Sequence, residues 1–366
     1  MDAFYASVEL LRYPELKGQP VVIGGRREHA PRDTAQGRVY ARLRDYTGRG
    51  VITTATYAAR AHGVRSGIGL MKAALFAPDA ILLPTDFATY RAMSRRFKTA
   101  VAEIAPLIED RGIDEIYIDL TQLAQQRQGA GHDPLAGLRE VAQDIKNNVR
   151  AATDGLTCSI GLAPNKLLAK IASDLDKPDG LTLIRAEDLV TRIWPLGVRV
   201  VNGIGPKAAK QLEELGIETI GELAAADPAW LIDRFGKSYG RWLHEAAHGR
   251  DERPVVTHSE PVSISRETTF ERDLHATRDR AELGRILGGL CEQLAADLAR
   301  KGYAARTIGI KLRFEGFRTV TRDQTLATPV QGATALLAAS RQCLKRVDFS
   351  DRLRLIGVRA AGLSKA

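Results

Sequence analysis

The sequence predicts an α+β fold divided among several units. Three observations predict it. Strand and helix patterns intermix up to about Ser173, a helical stretch runs from Leu181 to Gly249, and from Pro261 onward the order is strand, helix, strand, strand, helix, strand. A chain of 366 residues has room for two or three domains.

The elements follow in order. Ala3 to Leu11 spaces Phe4, Val8 and Leu11 as a helix does, and Pro20 to Ile23 reads as a short strand closed by Gly24-Gly25. Arg26 to Arg49 is basic and poor in apolar residues, so a loop with at most one short helix is expected. Val51 to Thr56 is a β-branched strand, Tyr57 to Ala61 a helical turn, and Met71 to Phe76 a helix stopped by Pro78. A strand (Ala80 to Leu83) and a long amphipathic helix (Phe87 to Ile104) lead to GIDEIYIDLT at Gly112 to Thr121. Ala124 to Pro134, rich in Gln and Gly, predicts a surface loop, followed by a helix over Leu135 to Thr153. Thr157 to Leu162 is a strand, and Pro164-Asn165-Lys166 opens a helix through Ser173.

Arg250 to Val256 is charged and holds Pro254, so it predicts a linker. Beyond it, strands at Pro261 to Phe270, Ala305 to Phe314, Phe317 to Leu326 and Arg352 to Arg359 alternate with helices over Arg278 to Lys301 and Gly332 to Val347, a ferredoxin-like order. On the second of these strands Ile308, Ile310, Leu312 and Phe314 face a core, which turns Lys311 and Arg313 outward.

Charge points to a polyanionic partner. The net charge is +9, and the residues from Arg250 on carry +7 of it, 21 Lys and Arg against 14 Asp and Glu. A second basic cluster, seven arginines, lies between Arg26 and Arg49. No apolar run approaches the roughly 20 residues that span a bilayer, and no signal peptide opens the chain, so a cytoplasmic location is expected. Cys158, Cys291 and Cys343 are far apart and form neither a disulfide framework nor a CxxC metal site.

Three stretches carry chemistry. In GIDEIYIDLT, Asp114 and Glu115 are adjacent, and successive strand residues point to opposite faces, so the pair can share a ligand only at a strand end or turn. Carboxylates of that kind suit Mg²⁺, although an Asp-Glu pair elsewhere is usually a solvated hairpin tip. Tyr57 and Arg60, spaced i and i+3, share a helix face, where a hydroxyl and a guanidinium can hold phosphate or simply stack on each other. In VNGIGPKAAKQLEELGIETIGELA, Gly203-Ile204-Gly205 makes a tight turn before a helix, the pattern of a helix-hairpin-helix. Its glycines let backbone N–H groups approach a nucleic-acid phosphate, and Lys207 and Lys210 add cationic reach.

Taken in order, MDAFYASVE, TATYAARAHGVRSG, GIDEIYIDLT, SIGLAPNKLLAKIASDLDKPDG, NGIGPKAAKQL and SISRETTF resemble a Y-family translesion DNA polymerase of the bacterial DNA polymerase IV (DinB) type. The resemblance covers nearly the whole chain. It implies a right-hand polymerase with a palm at 1–5 and 72–165, fingers with a basic insertion at 6–71, a helical thumb at 166–249, a linker at 250–259 and a ferredoxin-like little finger at 260–366. The insertion is assigned to Gln36 to Arg49. The resemblance also implies two Mg²⁺ ions, primer-template DNA and dNTP as substrates, and a monomer.

Carried over by position, Asp114 resembles a metal-binding aspartate, Glu115 the catalytic glutamate, and Tyr5 the steric gate that leaves no room for a ribose 2′-hydroxyl, with Phe4 beside it. Tyr57, Arg60 and Lys166 match the residues that hold the triphosphate. In the family, a further aspartate precedes the position of Asp2 by two residues and bridges both metals. The sequence starts after it, so the expectation is either an upstream start or a protein that holds DNA with impaired catalysis. Asp2 is not expected to replace it, because its side chain should point to the other strand face. The family's Gln- and Leu-bearing peptide for the sliding clamp is not visible in Leu363-Ser364-Lys365-Ala366. Three activities stay open: low-fidelity synthesis past lesions, DNA binding without chemistry, and metal-dependent phosphodiester hydrolysis, against which Tyr5 argues.

Overall fold

A computed structural model describes residues 1–128 and 134–366. The chain forms two compact units, Met1–His258 and Ser259–Ala366.

The first unit opens with α1 (Phe4–Arg12), β1 (Val21–Gly25), a small hairpin of β2 (Arg32–Thr34) and β3 (Gly37–Val39), then β4 (Ala41–Arg42), β5 (Thr54–Ala55), α2 (Tyr57–Ala61), α3 (Leu70–Ala73), β6 (Ile81–Pro84) and α4 (Phe87–Ala102). Strands assemble as β4-β6-β1-β5, with β1 and β6 parallel. Because strand side chains alternate, this sheet serves two cores. Val21, Ile23, Ile81 and Leu83 enter one with Phe4, Tyr90 and Phe97, while Val22 and Leu82 enter another with Leu43, Ile52 and Leu70.

Next come β7 (Ile108–Asp110) and β8 (Ile116–Ile118), an antiparallel hairpin, then α5 (Thr121–Gln128), α6 (Pro134–Ala152), β9 (Ile160–Leu162), α7 (Lys166–Leu175) and β10 (Leu181–Leu183), which pairs parallel to β9. Four helices complete the unit: α8 (Pro206–Glu214), α9 (Ile220–Ala225), α10 (Pro228–Phe235) and α11 (Lys237–Ala247). They close over a third core that includes Leu168, Ile171, Leu212, Ile220 and Leu243.

The second unit is β11 (Ser263–Leu274), α12 (Arg280–Lys301), β12 (Tyr303–Phe314), β13 (Thr319–Val330), α13 (Ala333–Leu344) and β14 (Leu353–Lys365). The element order is the expected one. Its antiparallel sheet runs β11-β14-β12-β13. Ile308, Ile310, Leu312 and Phe314 are at most 2% exposed, each contributing roughly 1.5–3 kcal/mol of burial.

Three expectations are corrected. Arg26 to Arg49 holds the β2–β3 hairpin and β4 between short helical turns at Arg27–His29 and Leu43–Asp45, and Leu43 and Tyr46 are core residues, so its second half is built into the sheet where a loop was expected. Residues 124–128 continue a helix where a loop was expected; 129–133 lie outside the described residues. Leu181–Leu183 is a strand inside the stretch expected to be all helical. No helix among the described residues is long and apolar enough to cross a membrane.

Candidate active site and nucleic-acid interface

The β7–β8 hairpin positions the carboxylates. Glu109 pairs with Tyr117 and Asp110 with Ile116, and the Arg111 amide donates to the Glu115 carbonyl at 3.1 Å, which closes the turn. Asp114 lies in that turn and Glu115 at the foot of β8, where the pleat is relaxed, as a shared ligand requires. The Asp114 carbonyl accepts from the Met1 amino group at 2.8 Å. Glu115 is paired with Lys170 of α7 at 3.0 Å.

A cavity of about 320 Å³ brings Tyr5, Tyr57, Arg60, Asp114 and Lys177 together. Thr56 caps α2 by accepting from the Ala59 amide, which fixes the start of the helix that carries Tyr57 and Arg60. The Arg60 guanidinium lies 4.9 Å from the centre of the Tyr57 ring while donating to the Ala55 carbonyl at 3.0 Å. The Tyr57 hydroxyl is buried and has no hydrogen-bond partner. An orphaned hydroxyl is unfavourable unless a ligand takes it up. Burial pushes the Tyr57 pKa up, so the group stays a neutral donor.

Tyr5 packs on Tyr90 with ring centres 4.6 Å apart and meets Phe87 edge-on at 5.8 Å. Burial, then the charge of Asp114, raises its pKa. Phe4 is only 2% exposed and meets Phe97 edge-on, so it backs Tyr5 from the core.

Lys166 is the clear correction. Its ammonium is 2.6 Å from Glu109 and 2.7 Å from the Pro254 carbonyl, and it does not line the cavity of Tyr57 and Arg60. Lys177 takes that place, in the turn Asp176-Lys177-Pro178-Asp179 that follows α7. The signal that could have found it is the lysine set in a Pro-containing turn, where the chain reverses and exposes a long cationic side chain.

Asp2 is 2% exposed, and its carboxylate accepts from the Thr157 hydroxyl (2.9 Å), the Ser159 hydroxyl (2.7 Å) and the Asp179 amide (2.9 Å). Its carboxylate is committed to these bonds within the fold. No group of three or more His, Cys, Asp or Glu side chains fit to hold a metal exists among the described residues. Asp114 and Glu115 are adjacent oxygen donors of the type that suits a hard cation taking its other ligands from water and substrate phosphate.

The helix-hairpin-helix forms as expected. Gly203 has φ +118°, and a Cβ there would meet the Trp242 ring at 2.6 Å. At Gly205, which precedes α8, a Cβ would meet nothing, so the backbone is open to an approaching phosphate. Lys207 is exposed, and Lys210 is 3.6 Å from Glu214. On the second unit Lys311 and Arg313 alternate with the core residues, but Lys311 is paired with Glu267 at 2.8 Å and Arg313 donates to the Thr319 hydroxyl. The neighbouring Arg318 pairs with Asp351 and Arg359 with Asp323. This face is thus less positive than its arginines suggest.

The impB/mucB/samB family model matches residues 1–174, and the model of that family's C-terminal domain matches residues 261–366. The chain belongs to this family, the Y-family DNA polymerases of the DNA polymerase IV (DinB) type. It is 39% identical over 365 residues to DNA polymerase IV of Caulobacter vibrioides, covering 100% of this chain and 81% of the relative. It is 37% identical over 364 residues to DNA polymerase IV of Alkalilimnicola ehrlichii, covering 99% and 93%. Among solved structures, a chimera of Y-family DNA polymerases aligns with a TM-score of 0.81 at 26% identity, covering 100% of this chain and 98% of the other. DinB from Sulfolobus solfataricus aligns with a TM-score of 0.63 at 26% identity, covering 98% and 96%.

Proposed function

We propose that this protein is a DNA-directed DNA polymerase that extends primers past template lesions, joining a dNTP to the primer 3′-hydroxyl. The observation that carries the reading is the cavity in which Tyr5, Tyr57, Arg60 and Lys177 face Asp114. Three groups there suit a triphosphate: a buried hydroxyl with no partner, a guanidinium held by a backbone carbonyl, and an ammonium.

Each residue has a role. Tyr57, Arg60 and Lys177 hold the phosphates and fix the α-phosphate near the carboxylates. Tyr5, braced by Tyr90 and Phe87, occupies the space a ribose 2′-hydroxyl needs. Asp114 and Glu115 would hold divalent cations, two in this reading. When bound, such ions stabilise charge on the transferring phosphoryl group and ease deprotonation of the attacking hydroxyl. The backbone at Gly203 and Gly205, with Lys207 and Lys210, grips the DNA backbone without reading sequence. Lys311 and Arg313 add contacts from the second unit. A gate against a 2′-hydroxyl disfavours the hydrolase reading, because hydrolysis has no need to tell the two sugars apart.

Primer extension tests the reading. With the native protein, Mg²⁺ and dNTPs, incorporation opposite an abasic site is expected, and no incorporation on any template would reject it.

A further inference from the structure

We propose that Lys166 and Glu109 form a clasp holding the strap Arg250 to Val256 on the β7–β8 hairpin, which makes Lys166 a positioning residue for the carboxylates at its turn. The activity part rests on the polymerase reading above; the clasp itself does not.

Both side chains are nearly buried, 10% and 8% exposed, at a separation of 2.6 Å. A buried ion pair is a poor device for stability alone, since desolvation offsets most of its Coulomb gain. What distinguishes this pair is what else it binds. The Lys166 ammonium donates to the Pro254 carbonyl at 2.7 Å, and the Glu109 oxygen it touches accepts the Val256 amide at 2.9 Å. One ion pair therefore satisfies an acceptor and a donor of the strap two residues apart.

Further ties hold the rest of the strap. Asp251 accepts the Leu167 amide at 3.0 Å and is paired with Arg253 at 2.7 Å. Just before it, the Asn165 side chain donates to the Gly249 carbonyl at 2.7 Å.

On the hairpin side, Glu109 is the register partner of Tyr117, and the Lys166 ammonium lies 5.4 Å from the centre of the Tyr117 ring. Tyr117 stands two residues beyond Glu115 on the same strand, so the clasp grips the hairpin beside its carboxylates. Arg111, 3.4 Å from Glu109, is more than half exposed and a weak substitute for Lys166.

Amide hydrogen exchange and single-nucleotide incorporation on the full chain test the proposal. In Lys166→Met, exchange at Val256 should accelerate about tenfold or more, the loss of a hydrogen bond to a charged group. The kcat should fall about tenfold with the dNTP KM within about twofold, the pattern of misplaced reacting groups and intact substrate binding. Removing one partner strands a buried charge and can unfold the protein. Lys166→Met/Glu109→Leu removes both charges, and should fold normally yet keep the fast exchange and low kcat. Wild-type exchange at Val256 in the folded double variant would overturn the clasp, and a freed strap with unchanged kcat would overturn the positioning role. If the wild-type chain incorporates nothing, the polymerase reading fails, and exchange still decides the clasp.

Discussion

The Lys170 ammonium stands 3.0 Å from the Glu115 carboxylate and 3.4 Å from Asp174. Burial lowers its pKa, but the charges of Asp174 and Glu115 outweigh this and place it above the ordinary lysine value. The cation therefore persists at neutral pH and competes with any metal ion for Glu115. Lys170→Met should lower the Mg²⁺ concentration for half-maximal incorporation by about threefold to tenfold, the effect of roughly 1 kcal/mol of relieved competition. A Mg²⁺ titration reads it; an unchanged requirement would remove the competition, and a higher one would show that Lys170 helps the metal site.

The buried Tyr57 hydroxyl predicts opposite effects on stability and binding. Tyr57→Phe should leave Tm unchanged or raise it, because the free protein loses an unsatisfied polar atom. It should raise the dNTP KM about fivefold, the worth of one hydrogen bond. Lys177→Met should raise KM by more, through loss of a charge, while Lys166→Met leaves it nearly unchanged. Steady-state kinetics and thermal unfolding together check this ordering.

Tyr5 is braced by aromatic rings on two sides, so it has little freedom to yield to a larger sugar. Tyr5→Ala should reduce discrimination against ribonucleotides by about a hundredfold, since the clash removed is worth roughly 3 kcal/mol. Competing dNTP and NTP incorporation measures the ratio. An unchanged ratio would remove Tyr5 from the gate.

Asp86 caps α4 by accepting the Thr89 amide and receives a hydrogen bond from Arg12 at 2.9 Å. That bond, with those from Thr89, holds its carboxyl down to about 2. A depressed carboxylate stabilises the fold above its unfolded pKa and loses that contribution as pH falls through the folded value. Asp86→Ala should therefore destabilise by about 1 kcal/mol at neutral pH, a typical cap loss. The gap from wild type should shrink between about pH 4 and 2 in urea unfolding, and a gap independent of pH would contradict the ionic part.

DNA binding should separate the basic groups. Lys207→Ala/Lys210→Ala should weaken affinity and reduce the slope of log K against log salt by about two, one per phosphate contact. Glu267→Gln should strengthen binding, because it releases Lys311 from its 2.8 Å partner. Fluorescence anisotropy across a salt series checks both, and weaker binding by Glu267→Gln would place Lys311 outside the interface.

Much of this protein was legible in its sequence, wherever a local rule carries the signal. The alternation of Ile308, Ile310, Leu312 and Phe314 announced β12, because strand side chains have a period of two. Gly203 announced the hairpin turn, because few other residues accept its backbone angle. The turn that carries Asp114 and Glu115 was legible too, because Asp110, Arg111 and Gly112 interrupt the apolar strand pattern there.

What the tertiary structure alone decided is which distant groups meet. Lys166, Lys170 and Lys177 all lie on or just after α7, yet one grips Glu109, one grips Glu115 and one faces Tyr57. Helix spacing says how far apart they point, but their partners are set by where the β7–β8 hairpin and α2 are packed. Leu43 and Tyr46 were hidden in a basic stretch because their burial depends on β4 pairing with β6. The pairing of Lys311 has the same cause: Glu267 reaches it through the sheet's register, which local sequence does not encode.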